Sequence, residues 1–160
     1  MKFLILAAAL ALSSAAHAGL PVTPAKDQQA LLKSNNPLLA QNKKLVYDFT
    51  RIVLYGLHLD QAQKFMRDDY IQHNPNVATG LNGFLAYFSK LGGPRPISNQ
   101  VSGLVSMQAE GDIVTMSFVS QLDDPDHPGT KYTTTWFDMF RVQDGKIAEH
   151  WDCDVKPLTK

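Results

Sequence analysis

The chain has 160 residues, which is the length of one domain. Its 15 Lys and Arg residues balance 15 Asp and Glu residues, so there is no net charge to attract a nucleic acid or an anionic membrane. Hydrophobic residues make up 44% of the chain and charged residues 19%, a globular balance that argues against disorder for most of its length.

The first eighteen residues have the pattern of an export signal. Lys2 supplies a positive charge, Phe3 to Leu12 form an apolar run, and Ala16-His17-Ala18 is a small-x-small cleavage site. The run is shorter than the roughly 20 residues that a transmembrane helix needs. We therefore predict a signal peptide over 1–18 and a protein, mature from Gly19, that is exported to the periplasm or secreted, with no membrane insertion after signal removal.

The next segment, 19–36, is rich in Pro, Ala, Gln and Ser and has little periodicity. This composition predicts an extended leader that connects the signal to a domain at 37–160. Asn36 is a helix-capping residue type and Pro37 suits a first helical turn. Apolar residues then recur every three or four positions, which predicts one long amphipathic helix ending near Gly56.

Two shorter helices are predicted in the middle of the chain. One opens at Leu59-Asp60, and the other follows Gly80 and ends before the Gly92-Gly93-Pro94 breaker. Between them, Tyr70 to His73 is predicted to be a short extended segment, because Asn74-Pro75-Asn76 would stop it.

After Pro96 the apolar residues recur with a period of two, which predicts β-strands. Tight turns are expected at Glu110-Gly111-Asp112 and Gln143-Asp144-Gly145, and a longer turn at 123–129. The four predicted strands are 101–109, 113–122, 132–142 and 147–155. Helices followed by an antiparallel meander indicate an α+β fold, because alternating βα units would predict a parallel sheet.

Cys153 is the only cysteine of the chain, so no internal disulfide can form. It falls in the last predicted strand among apolar neighbours. We therefore expect a buried, inert thiol, with a reactive thiol or an intermolecular bridge as the alternatives.

Asp138 is the residue that most strongly suggests a functional pocket. In a strand it shares a face with Trp136 and Phe140, whereas Phe137 and Met139 point to the other side. A carboxylate between two large apolar side chains needs either a partly open face or a buried partner. We interpret Asp138 as a pocket residue.

Three residues are candidate partners of Asp138. His150 and Asp152 share a face of the neighbouring strand, and His73 ends the short extended segment. Histidine and carboxylate together suit proton abstraction next to a carbonyl, because imidazole titrates near neutral pH. Solvation at a sheet margin would also explain His150 and Asp152, and turn capping would explain His73. The spacing matches no metal-binding motif, so no metal and no other cofactor is predicted.

Several blocks of the sequence resemble the SnoaL-like branch of the nuclear transport factor 2-like superfamily. They are Tyr70-Ile-Gln-His-Asn-Pro75, Gly80 with Gly83-Phe84, Phe137-Asp-Met-Phe-Arg141 and Asp144-Gly-Lys-Ile-Ala-Glu-His-Trp-Asp152. The likeness covers about 41–155. It implies a cone-shaped α+β barrel, with three N-terminal helices packed on a curved antiparallel sheet, and a homodimer formed through the outer surface of that sheet.

The resemblance also implies a function. Members of this superfamily include polyketide cyclases that perform aldol condensation, isomerases, dehydratases and epoxide hydrolases, and also non-catalytic binding or assembly domains. The cofactor-free cyclases use pocket His and Asp residues, and the matching positions here are His73, Asp138, His150 and Asp152. The expected ligand-binding residues are aromatic: Tyr70, Tyr87, Phe88, Trp136 and Phe140.

Three functions remain open from the sequence. The first is a cofactor-independent lyase or isomerase that acts on a small hydrophobic carbonyl compound. The second is a non-catalytic periplasmic protein that binds a small apolar ligand, and the third is an accessory dimerisation domain. An export signal is not expected of an antibiotic-pathway cyclase, so the substrate stays open.

Overall fold

The computed structural model describes residues 19–157. The predicted export signal, residues 1–18, lies outside the described residues. Within 19–157 no helix has the length and apolar character needed to cross a bilayer.

The helices lie mainly in the first half of the chain, as predicted. The α-helices are α1 (Gln28–Leu31), α2 (Pro37–Phe49), α3 (Ala62–Phe65) and α4 (Leu81–Phe88). A π-helix (Thr50–Tyr55) continues α2, and short 3₁₀ turns (Leu59–Gln61 and Ser89–Leu91) precede α3 and follow α4.

The long helix forms for the reasons that the sequence indicates. Asn36 accepts a hydrogen bond from the Leu38 amide, and Pro37 occupies the first turn. Val46, Tyr47 and Phe49 of α2 are buried, whereas Leu38 near its start is exposed. The π-helix runs to Tyr55, and its last turn depends on Gly56, because a Cβ there would lie 2.6 Å from the Ile52 carbonyl oxygen.

Five strands form one curved, open sheet in the order β1-β5-β4-β3-β2. The strands are β1 (Met66–Gln72), β2 (Leu104–Glu110), β3 (Ile113–Asp123), β4 (Lys131–Gln143) and β5 (Lys146–Asp152). The predicted meander of β2 to β5 and the α+β class are confirmed.

The sheet departs from the expected antiparallel one at its β1 edge. Strand β1 pairs in parallel with β5, so the sheet is mixed. Parallel pairing is possible here because α4 and the long connection to β2 carry the chain across the sheet between the two strands. The predicted short extended segment is thus a full strand.

The predicted extended leader is wrong for residues 28–31, which form α1. The Gln28 side chain is buried at 4% exposure. Its amide donates to the Val101 carbonyl at 2.8 Å and accepts from the Val101 amide at 2.9 Å and from the Tyr47 hydroxyl at 2.9 Å. Because one side chain satisfies all three groups, this part of the leader belongs to the domain.

The core lies between α2, α4 and the inner face of the sheet. Its aromatic centre is Phe49, which packs against Phe84 at 5.8 Å and Phe140 at 6.0 Å between ring centroids. Tyr70 of β1 meets the edge of Phe84 at 6.3 Å. This aromatic cluster lies next to the polar residues of β4 and β5.

Candidate active site

A polar cluster interrupts the inner face of the sheet where β1, β5 and β4 lie side by side. Register places Asp138 opposite Asp152, and His150 opposite Phe140 on one side and Gln72 on the other. The side chains of Asp138, His150 and Asp152 are 17%, 11% and 8% exposed. The structure therefore brings together three of the four candidate catalytic residues; their catalytic role stays a prediction.

His150 is held at the centre of this cluster. Its ring packs on Phe140 with 4.6 Å between centroids, and its Nδ1 lies 2.9 Å from Gln72 Oε1. Its Nε2 is buried and has no hydrogen-bond partner among the described residues. The nearest carboxylate oxygen, Asp138 Oδ1, is 3.8 Å from Nε2, beyond hydrogen-bond range.

The hydrogen bonds around Gln72 determine which tautomer His150 adopts. The Asn74 backbone N–H donates to Gln72 Oε1 at 3.0 Å, and Gln72 Nε2 donates to the Tyr70 hydroxyl at 2.9 Å. Because a backbone N–H can only donate, this atom of Gln72 is the amide oxygen. The neutral imidazole must then carry its proton on Nδ1, so Nε2 presents an unshared electron pair.

Two neutral donors hold the carboxylates beside His150. Trp136 Nε1 donates to Asp138 Oδ1 at 2.8 Å, and Asn74 Nδ2 donates to Asp152 Oδ2 at 2.7 Å. Asp152 Oδ2 lies 4.0 Å from His150 Nδ1. The imidazole therefore has one carboxylate near each nitrogen.

Two tyrosines complete the surroundings of the cluster. Burial raises the pKa of the Tyr70 hydroxyl, and the negative charges of Asp152 and Asp138 raise it further. Burial also raises the pKa of Tyr55 to about 12, with a further contribution from Asp138. Both phenols therefore stay protonated at physiological pH and are available as hydrogen-bond donors.

The three side chains of the cluster could hold a divalent cation. One oxygen or nitrogen atom from each of Asp138, His150 and Asp152 lies within 4.8 Å of the others. Such a cation would compete with the proton for the Nε2 electron pair of His150. Removal of metal therefore belongs in any functional test of the cluster.

The predicted ligand-binding aromatics differ in their distance from the cluster. Trp136 bonds to Asp138 and Phe140 packs on His150, whereas Tyr70 bonds to Gln72. Tyr87 and Phe88 lie on α4, where Phe88 stacks on Phe84 at 4.4 Å and Tyr87 meets Phe88 at 5.2 Å. The ligand-binding role of all five stays a prediction.

His73 does not face Asp138, and that part of the expected geometry is wrong. His73 Nε2 lies 2.7 Å from Glu149 Oε1, and its ring stacks on Trp151 at 4.9 Å. Glu149 and Trp151 alternate with His150 along β5, so they face the outer side of the sheet. Arg141 donates to Glu149 on the same side, at 2.8 Å.

Cys153 also departs from its expected position. The residue lies beyond the last residue of β5 and is exposed. Its thiol contacts the Phe137 carbonyl at 3.6 Å. The period-two pattern of the last strand does not extend to 155, so the predicted burial is wrong.

Gln72, Asn74 and Tyr55 are members of the site that the sequence did not indicate. Tyr70, Gln72 and Asn74 occupy alternate positions along one edge of the sheet, so all three point to the inner face. The sequence signal for Gln72 and Asn74 is their period-two spacing from Tyr70. That spacing is informative only once residues 66–72 are treated as a strand. The position of the Tyr55 side chain depends on the π-helix, and no sequence pattern predicts a π-helix.

The fold and the polar inner wall define a cone-shaped α+β domain with a histidine and two carboxylates facing inward. The SnoaL-like domain family matches residues 48–150, well over half of the chain, and the protein belongs to that family. The resemblance stated from the sequence is confirmed. No curated protein matches the chain.

Solved structures share the fold at low sequence identity. A candidate polyketide cyclase from Acidithiobacillus ferrooxidans is 19% identical, with a TM-score of 0.51 over 75% of this chain and 89% of that chain. An LEH-like epoxide hydrolase from M. tuberculosis is 17% identical, with a TM-score of 0.50 over 70% of this chain and 80% of that chain. A loop-truncation variant of IdmH is 17% identical, with a TM-score of 0.50 over 69% of this chain and 90% of that chain.

Proposed function

We propose that the protein is a cofactor-independent lyase or isomerase that moves a proton next to the carbonyl group of a small hydrophobic compound. The observation that carries the proposal is Nε2 of His150, which is buried and has no hydrogen-bond partner within residues 19–157, and whose lone pair follows from the Gln72 contact at Nδ1. A buried base without a hydrogen-bond partner costs stability, and a catalytic role would account for that cost. Membership of the SnoaL-like family supports the same class of chemistry.

In the proposed reaction His150 is the general base. Nε2 takes the proton from the carbon next to the carbonyl, the C–H electron pair forms the enolate, and the imidazole becomes cationic. Asp138 and Asp152 stabilise that cation. The proton then returns either to a second carbon, which completes an isomerisation, or to the oxygen of a second carbonyl that the enolate has attacked, which completes an aldol reaction.

The enolate oxygen needs a hydrogen-bond donor in this mechanism. Tyr70 accepts from Gln72 at its oxygen, which leaves its own proton for the substrate. Its raised pKa keeps that proton in place at neutral pH. Tyr55 is a second donor with the same property. The neighbouring rings of Trp136 and Phe140 suit an apolar substrate body.

The proposal is tested by deuterium exchange. The mature protein is treated with EDTA, dialysed and incubated in D₂O with a panel of cyclic diketones and aryl ketones, and proton NMR follows the signal of the carbon next to the carbonyl. We expect accelerated deuterium incorporation for some members, unchanged by EDTA. Ligands that bind without exchange would favour the binding-protein alternative, and exchange that EDTA abolishes would show metal-dependent chemistry.

Export and homodimerisation are further parts of the proposal. Residues 1–18 support export, which cell fractionation tests. Phe137 and Ile71, each 48% exposed on large apolar side chains, support a dimer through the outer face of the sheet. Light scattering of the mature protein tests the dimer, and a monomer would exclude it.

A further inference from the structure

A cavity of about 470 Å³ lies between the end of the long helix and the segment that leads into β2. Its wall includes Arg51 and Tyr55 from the helix, and Arg95, Ser98 and Gln100 from the opposite segment. No Asp or Glu is among its lining residues. The cavity therefore offers positive charge and neutral polar groups to a ligand.

Both arginines of the cavity keep hydrogen-bonding capacity for a ligand. Arg51 donates from Nε to Asp48 at 2.9 Å and from Nη1 to the Ser98 carbonyl at 3.3 Å, which leaves Nη2. Arg95 donates from Nη2 to the Leu91 carbonyl at 3.2 Å, and within residues 19–157 it forms no ion pair with a carboxylate. Planar guanidinium groups with spare N–H donors bind carboxylates strongly.

The segment that carries Arg95 is fixed to the end of the helix. The Arg95 amide donates to the Gly56 carbonyl at 2.7 Å, and the Arg95 carbonyl lies 2.9 Å from His58 Nε2. The backbone of Arg95 is thus positioned by folding, and only its side chain has to adjust to a ligand.

Tyr55 connects this cavity to the candidate active site. Arg51 and Tyr55 are four residues apart on the π-helix, so both side chains lie on the same side of it, and both line the cavity. Tyr55 also lies close enough to Asp138 for the carboxylate charge to act on its hydroxyl. Tyr55 is therefore common to the wall of the cavity and to the surroundings of Asp138.

We propose that Arg51 and Arg95 bind an anionic group, such as a carboxylate, on the same molecule whose carbonyl reaches His150, so that the substrate class is a carbonyl compound with an acidic group. The inference rests on the proposed function for the identity of the reacting end. Binding itself does not need turnover, so the two proposals can fail separately.

The test measures binding with paired probes that differ only in charge. A Trp151→Phe background leaves Trp136 as the single tryptophan of a chain that has two, and Trp136 bonds directly to Asp138. Quenching of its fluorescence is titrated with 4-acetylbenzoate and with its methyl ester at low salt. We expect the acid to bind about fivefold more tightly than the ester, as for partly exposed ion pairs, and the difference to shrink at 0.5 M NaCl.

Substitution of the arginines provides the matched comparison. Arg95→Gln and Arg51→Gln should each reduce the preference for the acid, and the double variant should abolish it. Arg67→Gln removes the same charge outside the cavity, where Arg67 pairs with Asp69, and should leave the preference unchanged. Failure of the acid to bind more tightly than the ester in the parent protein, or a preference that survives the double substitution, would overturn the proposal whether or not exchange activity is found.

Discussion

Replacing His150 with Gln is expected to lower the rate of deuterium exchange by about a thousandfold, the middle of the range for loss of a general base. Glutamine retains a polar side chain of similar reach but has no lone pair of comparable basicity. The exchange rate is measured on each substrate that the parent protein accepts. Thermal unfolding of the same variant establishes that it is folded, and Asp138→Asn, which keeps the acceptor for Trp136, gives a second variant with an expected smaller loss.

His73→Gln is the matched control for His150→Gln. It removes an imidazole from the outer face, where the ring stacks on Trp151 and pairs with Glu149. Exchange should change less than twofold. A thousandfold loss in His73→Gln with a small effect in His150→Gln would reverse the assignment of the base.

Replacing Phe84 with Ala should have the largest effect on folding, with a loss of about 3–5 kcal/mol in the free energy of unfolding. Phe84 is 1% exposed and its ring packs against Phe49, Tyr70 and Phe88. Its removal leaves a cavity between α4 and the sheet that rigid neighbours cannot fill. Urea denaturation of the mature protein, followed by far-UV circular dichroism, measures the change.

Phe137→Ala serves as the control for Phe84→Ala. The Phe137 ring is 48% exposed on the outer face of β4, so its loss should cost less than about 1 kcal/mol in the monomer. Equal losses in the two variants would show that the assignment of inner and outer faces is wrong. Both measurements are made at several protein concentrations, because association through the outer face would make the Phe137 result concentration-dependent.

The hairpins and the long helix could be predicted because local signals are sufficient for them. Asn36 and Pro37 begin α2, and Gly111 and Gly145 provide the positive φ that the tight turns require. Strand β1 could not be predicted in full, because its partner β5 is about eighty residues away and Asp68 and Asp69 break its apolar pattern. Parallel pairing is a tertiary event that period alone does not specify.

The candidate site shows the same division between local and tertiary information. Alternation in β4 and β5 predicts that Asp138, His150 and Asp152 share one face, and the structure agrees. The prediction is possible because apolar residues within each strand define its two faces. The expected position of His73 is wrong because the direction of its side chain depends on the register between β5 and the end of β1, which His73 follows. In that register the Gln72 side chain faces inward and the His73 side chain faces outward. The side chain from this segment that contacts His150 is therefore the amide of Gln72.

The protonation of the His150 ring tests the central claim most directly. Long-range proton–nitrogen NMR of histidine-labelled protein, recorded at alkaline pH where imidazoles are neutral, distinguishes a protonated Nδ1 from a protonated Nε2. The peak that disappears in His150→Gln identifies the ring. We predict a proton on Nδ1 and a free lone pair on Nε2; a proton on Nε2 would contradict the account, because the atom assigned as the base would then have no electron pair to use.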